Sequence, residues 1–168
     1  MDKLQVLVVE DREIIAAKIQ RALVGAGYHV IGLAPTLASA VTQLEYAERL
    51  DAAVLDIDLR GEPVFPIAEQ LEARRIPFIF LTGYGASAVG ARWREVHRVE
   101  KPFETASLLR ALDDAIRRVP PPSGPGAFVG SSVRTRLAMD MIRDTRDAIT
   151  EARAARELPG AEGEAPAR

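Results

Sequence analysis

The sequence contains no cysteine among its 168 residues. That absence removes disulfides, thiolate nucleophiles and cysteine-ligated metals from consideration. Net charge is also small: 22 basic residues stand against 24 acidic ones, a formal charge of −2. No broad basic footprint is left for nucleic acid. Nowhere does an apolar run approach the roughly 18 residues that a membrane helix needs. Met1 leads directly into the charged Asp2 and Lys3, unlike the start of a signal peptide. These absences lead us to expect a cytoplasmic protein with neither a membrane nor a DNA partner. What remains is ordinary soluble composition, 48% apolar and 27% charged, in a length that suits one domain plus an appendage.

The organisation emerges from short apolar runs. Leu4 to Val9 is nearly continuous and rich in valine, Val30 to Ala34 is a second run, and Ala52 to Leu55 a third, ending in Asp56. Pro77 to Leu81 and about Val96 to Val99 complete the set. Continuous runs of this kind mark strands buried on both faces, as in a parallel sheet. Between them apolar residues recur at helical spacing. Ile14, Ile15, Ile19, Ala22 and Leu23 come first, stopped by Gly25 and Gly27. Leu37, Val41 and Leu44 follow Pro35-Thr36, and Ile67 and Leu71 follow a loop carrying Gly61 and Pro63. Leu109, Leu112 and Ile116 come last, with Thr105 as the expected cap. Five alternating strand and helix units predict a doubly wound α/β fold with a five-stranded parallel sheet. Gly83 to Glu95, with three glycines, reads as a short or frayed helix in which Trp93 packs.

We therefore place a domain at residues 1–119, a Pro/Gly-rich linker at 120–130, a long amphipathic helix at 131–157 and a disordered tail at 158–168. Val133, Leu137, Met141, Ala148 or Ile149, and Ala152 line one face of that helix, among arginines and carboxylates of mixed sign. The stripe must find a partner, and three remain open: its own domain, the same helix of a second chain in a homodimer, or a groove on another protein. One long helix is not the compact helical set of a DNA-binding domain.

The polar residues of interest stand where strands stop. Glu10 and Asp11 follow the first strand, Asp56 ends the third, Thr82 follows the fourth, and Lys101 follows the fifth, just before Pro102. In open α/β sheets the site lies beyond the carboxyl ends of the strands, so these groups fall into one pocket. Asp11 and Asp56 are hard oxygen ligands that suit Mg²⁺. With such a cation present, Asp56 can attack phosphorus as a nucleophile. Mg²⁺, Lys101 and the Thr82 hydroxyl can then each serve one equatorial phosphoryl oxygen, and Gly83 permits close backbone approach.

Glu10-Asp11, Asp56, Thr82 and Lys101-Pro102-Phe103 resemble, in that order, the signature of response-regulator receiver domains, over about Leu4 to Val119. The resemblance implies a flavodoxin-like strand order of 2-1-3-4-5 and phosphorylation on Asp56. It implies Mg²⁺ held by Asp11, Asp56 and the Asp58 backbone carbonyl, with Glu10 acting through water, and a cis Lys101-Pro102 bond. It implies a histidine kinase or phosphotransferase as donor, a downstream protein target, and a two-component signalling switch rather than a turnover enzyme. Phe80-Leu81-Thr82-Gly83-Tyr84, with Asp58-Leu59-Arg60-Gly61-Glu62-Pro63, resembles more narrowly the alphaproteobacterial FAT GUY single-domain regulators. Arg98 stands where most receivers carry an aromatic switch residue, three before the lysine; the narrower group also tends to lack that ring.

Simpler readings stand beside these. Glu10-Asp11 alone would serve as a helix N-terminal cap. Asp56-Ile57-Asp58 also resembles the Asp-X-Asp of haloacid-dehalogenase-type phosphatases, but lies on the third strand, with Arg60 where a Thr or Val belongs. His29 and His97 read as ordinary strand residues. The alternative function is a receiver-like scaffold that acts through its C-terminal helix without phosphorylation.

Overall fold

The computed structural model describes residues 2–83 and 89–119. The expected linker, long helix and tail, the homodimer contact through that helix, and Tyr84 all lie outside the described residues. Among the described residues, seven strands and four α-helices follow in chain order: β1 (Gln5–Val9), α1 (Glu13–Gly25), β2 (His29–Ala34), α2 (Leu37–Tyr46), β3 (Ala52–Asp56), β4 (Asp58–Leu59), β5 (Glu62–Pro63), α3 (Phe65–Ala73), β6 (Phe78–Thr82), β7 (Arg98–Glu100) and α4 (Thr105–Arg118). Five strands form a parallel sheet in the order β2-β1-β3-β6-β7. With the small β4–β5 hairpin set aside, that is the expected order 2-1-3-4-5.

Alternation along the strands splits the core in two. Val6, Val8, Ala52, Val54, Ile79 and Leu81 pack with Ile19 and Leu23 of α1 and with Leu108 and Leu112 of α4. The alternate residues Leu7, Val9, Ala53, Leu55, Phe78 and Phe80 are also buried, and α2 and α3 neighbour each other on that side. Each such Val or Leu contributes roughly 1.5–3 kcal/mol by leaving water. On α4 the buried stripe is Leu108, Leu112 and Ala115, with Leu109 and Ile116 only partly covered. The expected phase is thus shifted by one residue. Thr105 does not cap α4: the cap position is Glu104, without a side-chain bond, and Thr105 is the first helical residue. Thr36 does cap α2, in a reciprocal pair with Ser39. Ile14 lies on α1 but is 85% exposed.

Within the stretch expected as a short or frayed helix, residues 84–88 lie outside the described residues, and Ala91–Trp93 forms a short 3₁₀ turn. Trp93 is buried against Phe65, Phe78 and Phe80, at ring-centroid distances of 6.3, 5.9 and 6.0 Å. Arg92 pairs with Glu69 at 2.7 Å and with Glu72 at 2.8 Å, both on α3. His29 begins β2 and His97 immediately precedes β7. At the sheet's outer edge, Gln43 of α2 donates its Nε2–H to the Leu33 carbonyl of β2 at 3.1 Å.

Tyr28, just before β2, donates its hydroxyl to Asp113 of α4. Burial pushes its pKa well above 10.0, and the Asp113 carboxylate adds to the shift. A folded-state pKa above the unfolded value gives stability that is complete below the unfolded pKa and lost as pH rises past it. Tyr28→Phe is expected to lower stability by roughly 1–2 kcal/mol at neutral pH. That deficit should shrink above about pH 10, where only the wild-type unfolded state gains from releasing the phenol proton. Urea unfolding of both proteins at pH 7 and pH 11 checks this; a deficit that stays constant or grows excludes the assignment.

Candidate phosphoacceptor pocket

The parallel register delivers the expected residues to one end of the sheet. Val9 pairs with Leu55, so Glu10 and Asp11 emerge beside Asp56. Asp56 pairs with Leu81, and Thr82 with Glu100, so Thr82 and Lys101 emerge next to it. Glu10, Asp56 and Thr82 are buried. Lys101 closes the group with its backbone N–H on the Thr82 carbonyl at 2.7 Å. The Lys101-Pro102 peptide is cis.

The Lys101 ammonium donates to Glu10 Oε2 at 2.6 Å and to Asp56 Oδ2 at 2.8 Å. It is thus the shared counter-charge of two carboxylates whose side chains are almost fully buried. Burial pushes the Glu10 carboxyl above its usual range; the Lys101 hydrogen bond opposes the shift and the neighbouring Asp56 charge adds to it. Glu10, Asp11 and Asp56 each bring a carboxylate oxygen within 4.8 Å of the others. Hard oxygens this close repel one another, and a divalent cation relieves that repulsion. The donor set therefore fits Mg²⁺.

Neither Glu10 nor Asp11 occupies the cap position of α1. Helix α1 has Arg12 at its cap position and no side-chain cap bond. Glu10 Oε1 does accept the Arg12 N–H at 3.2 Å, while its other oxygen faces Lys101.

Asp58 is exposed, and its carboxylate accepts the Gly61 N–H at 2.5 Å. Its own backbone nitrogen lies 3.5 Å from Asp56 Oδ1, so this stretch of backbone runs against the pocket. Gly83 lies at the pocket's edge, where an added Cβ would meet nothing within 4 Å. Packing among the described residues therefore does not require glycine there.

Two contacts at the site are not visible in the sequence. Arg60 Nε lies 3.5 Å from Asp11 Oδ2. Lys18 of α1 donates to the Phe103 carbonyl at 2.6 Å, its ammonium 4.5 Å from the Phe103 ring centre, and so ties α1 to the segment after Lys101. The Arg60-Gly61 dipeptide was a usable turn signal; the Lys18 contact spans 85 residues and leaves no local pattern.

Among the described residues no helix is long and apolar enough to cross a membrane. Residues 6–113 match the family described as Response regulator receiver domain. The chain is similar to the phyllosphere-induced regulator PhyR of Methylorubrum extorquens, with 27% identity over 115 residues, covering 67% of this chain and 43% of PhyR. It therefore spans less than half the length of that relative. It is also similar to the solution structure of SdrG from Sphingomonas melonis Fr1, at a TM-score of 0.63 and 36% identity, covering 69% of this chain and 99% of SdrG. The BeF3-activated conformation of SdrG from Pseudomonas melonis Fr1 is similar at a TM-score of 0.57 and 37% identity, covering 66% and 95%. These likenesses agree with the narrower resemblance carried by Phe80 to Tyr84. With a match over residues 6–113 and five parallel strands in receiver order, the chain belongs to the response regulator receiver domain family.

Proposed function

We propose that this chain is a phosphorylation-controlled switch of two-component signalling in the cytoplasm, accepting a phosphoryl group on Asp56 from a histidine kinase or phosphotransferase. It would signal to a downstream protein by interaction, without turnover of its own. The observation that carries this reading is the Lys101 ammonium held between Asp56 and Glu10, with Asp11 alongside.

In the reaction, an Asp56 carboxylate oxygen attacks phosphorus, the bond from phosphorus to the donor's nitrogen breaks, and an acyl phosphate forms. Asp11, Asp56 and the Asp58 backbone carbonyl would hold Mg²⁺, with Glu10 acting through water. Bound there, the ion neutralises developing charge on the phosphoryl oxygens. Lys101 moves its ammonium from the Asp56 carboxylate to a phosphoryl oxygen and keeps Glu10 as its anchor. Thr82, buried one residue past the Leu81–Asp56 pair, offers its hydroxyl to another oxygen. Gly83, with no side chain, would let the backbone come close to the phosphoryl group. Pro102 shapes the turn that follows Lys101.

The recorded BeF3-activated conformation of SdrG suggests the test. Beryllofluoride with Mg²⁺ is expected to shift backbone amide resonances around Asp56, Thr82 and Lys101. A spectrum unchanged by beryllofluoride would count against the reading.

A further inference from the structure

The pocket's two cations are not equally committed. Lys101 is almost fully buried and bridges two carboxylates, at 2.6 and 2.8 Å. Asp11 is paired instead with Arg60, at 3.5 Å, and the Arg60 side chain is 75% exposed. The third carboxylate of the cluster, its side chain 13% exposed like that of Lys101, thus has a counter-ion that can itself swing into solvent.

The backbone around Arg60 supports a role beyond chance proximity. Leu59 pairs with Glu62 in the β4–β5 hairpin, so Arg60 and Gly61 form a two-residue turn. Both have positive φ, 57° and 89°, the values of a type I′ turn. Asparagine, aspartate or glycine ordinarily takes the first of these positions, because a Cβ is strained there and a short polar side chain offsets the strain by local hydrogen bonding. Asp58 secures the turn by accepting the Gly61 N–H. The arginine occupies an unfavourable position whose effect is to bring its guanidinium to Asp11.

We propose that Arg60 is the resident counter-cation of Asp11, which Mg²⁺ must displace, so that Arg60 sets the metal affinity of the pocket. This inference rests on the reading of the pocket as a Mg²⁺ site. An incoming cation would compete with Arg60 for the Asp11 carboxylate, and the two positive charges would repel. Both effects weaken metal binding while Arg60 is in place.

Arg60→Asn separates the contact from the turn, because asparagine suits the left-handed conformation. Mg²⁺ dissociation constants would be read from amide chemical-shift titrations of the full chain, for the wild type, Arg60→Asn and Arg12→Ala. The last removes a charge of the same sign beside Asp11 while leaving the Arg60 pair. Arg60→Asn is expected to bind Mg²⁺ about two- to fivefold more tightly, the range set by a largely exposed ion pair, with a clearly smaller change for Arg12→Ala. Unchanged or weaker binding in Arg60→Asn overturns the proposal. So does an equal gain in Arg12→Ala, which would show that only net charge matters. If no form binds Mg²⁺ while its spectrum remains that of the folded protein, the metal-site reading itself fails.

Discussion

Asp56→Asn is expected to reduce phosphoryl incorporation from acetyl phosphate and Mg²⁺ to background, while the wild type is labelled. The substitution keeps the side chain's shape but removes the anionic oxygen that attacks phosphorus. It also removes one of the three carboxylates crowded within 4.8 Å. The Asp56 charge is one of the causes that raise the Glu10 carboxyl, and Lys101 retains Glu10 as a partner. The metal-free variant should therefore be at least as stable as the wild type even as its labelling disappears. Intact-mass measurement of the phosphate adduct, with a melting curve on the same samples, separates these effects. Labelling that persists in Asp56→Asn would put the acceptor elsewhere. Lost labelling with a collapsed melting transition would mean that the loss reflects unfolding.

The second large effect concerns stability. Trp93→Ala is expected to destabilise the domain by roughly 3–5 kcal/mol, as truncation of a buried aromatic does. Trp93 lies nearly parallel to Phe65, at 9°, and edge-on to Phe78 and Phe80, at 69° and 83°. Its removal leaves three rings facing a void that none of them can fill without losing its other contacts. Arg92→Ala provides the contrast. Its ion pairs with Glu69 and Glu72 are about half exposed, so solvent screens them and their loss should change stability far less than the loss of Trp93. Urea unfolding followed by far-ultraviolet circular dichroism measures both. A Trp93→Ala loss no larger than that of Arg92→Ala would mean that the 3₁₀ turn contributes little to the folded core.

The strand-end residues were readable in the sequence because burial on both faces makes each strand a continuous apolar run whose last residue is easily located. Glu10, Asp56, Thr82 and Lys101 fell out of that reading directly. Helical phase was less legible. Leu108 and Leu109 are adjacent and both apolar, so periodicity alone could not say which faces the sheet; packing chose Leu108. Ile14 fits the apolar spacing of α1 yet is exposed, since spacing assigns a face but cannot say whether the first turn has anything to pack on. Thr105 has the chemistry of a cap, yet the helix begins with it. The Arg60–Asp11 contact depends on a hairpin two residues wide on each side, and such short pairing has no alternation to detect. Its only local trace is the glycine at position 61.

Both rims of the parallel sheet are guarded against a further strand. A foreign strand adding to β2 would need the outward carbonyl of Leu33, but Gln43 already donates to it. Even an alanine Cβ at Gly32 would meet that glutamine's Oε1 at 2.0 Å, so the small residue is what lets the side chain lie over the strand. The opposite rim, β7, is three residues long and has Arg98 and Glu100 at its ends. A short, charged edge is a poor template for intermolecular pairing. Edge-to-edge pairing through this sheet is therefore disfavoured, which makes its described helices and loops the better surfaces for a partner.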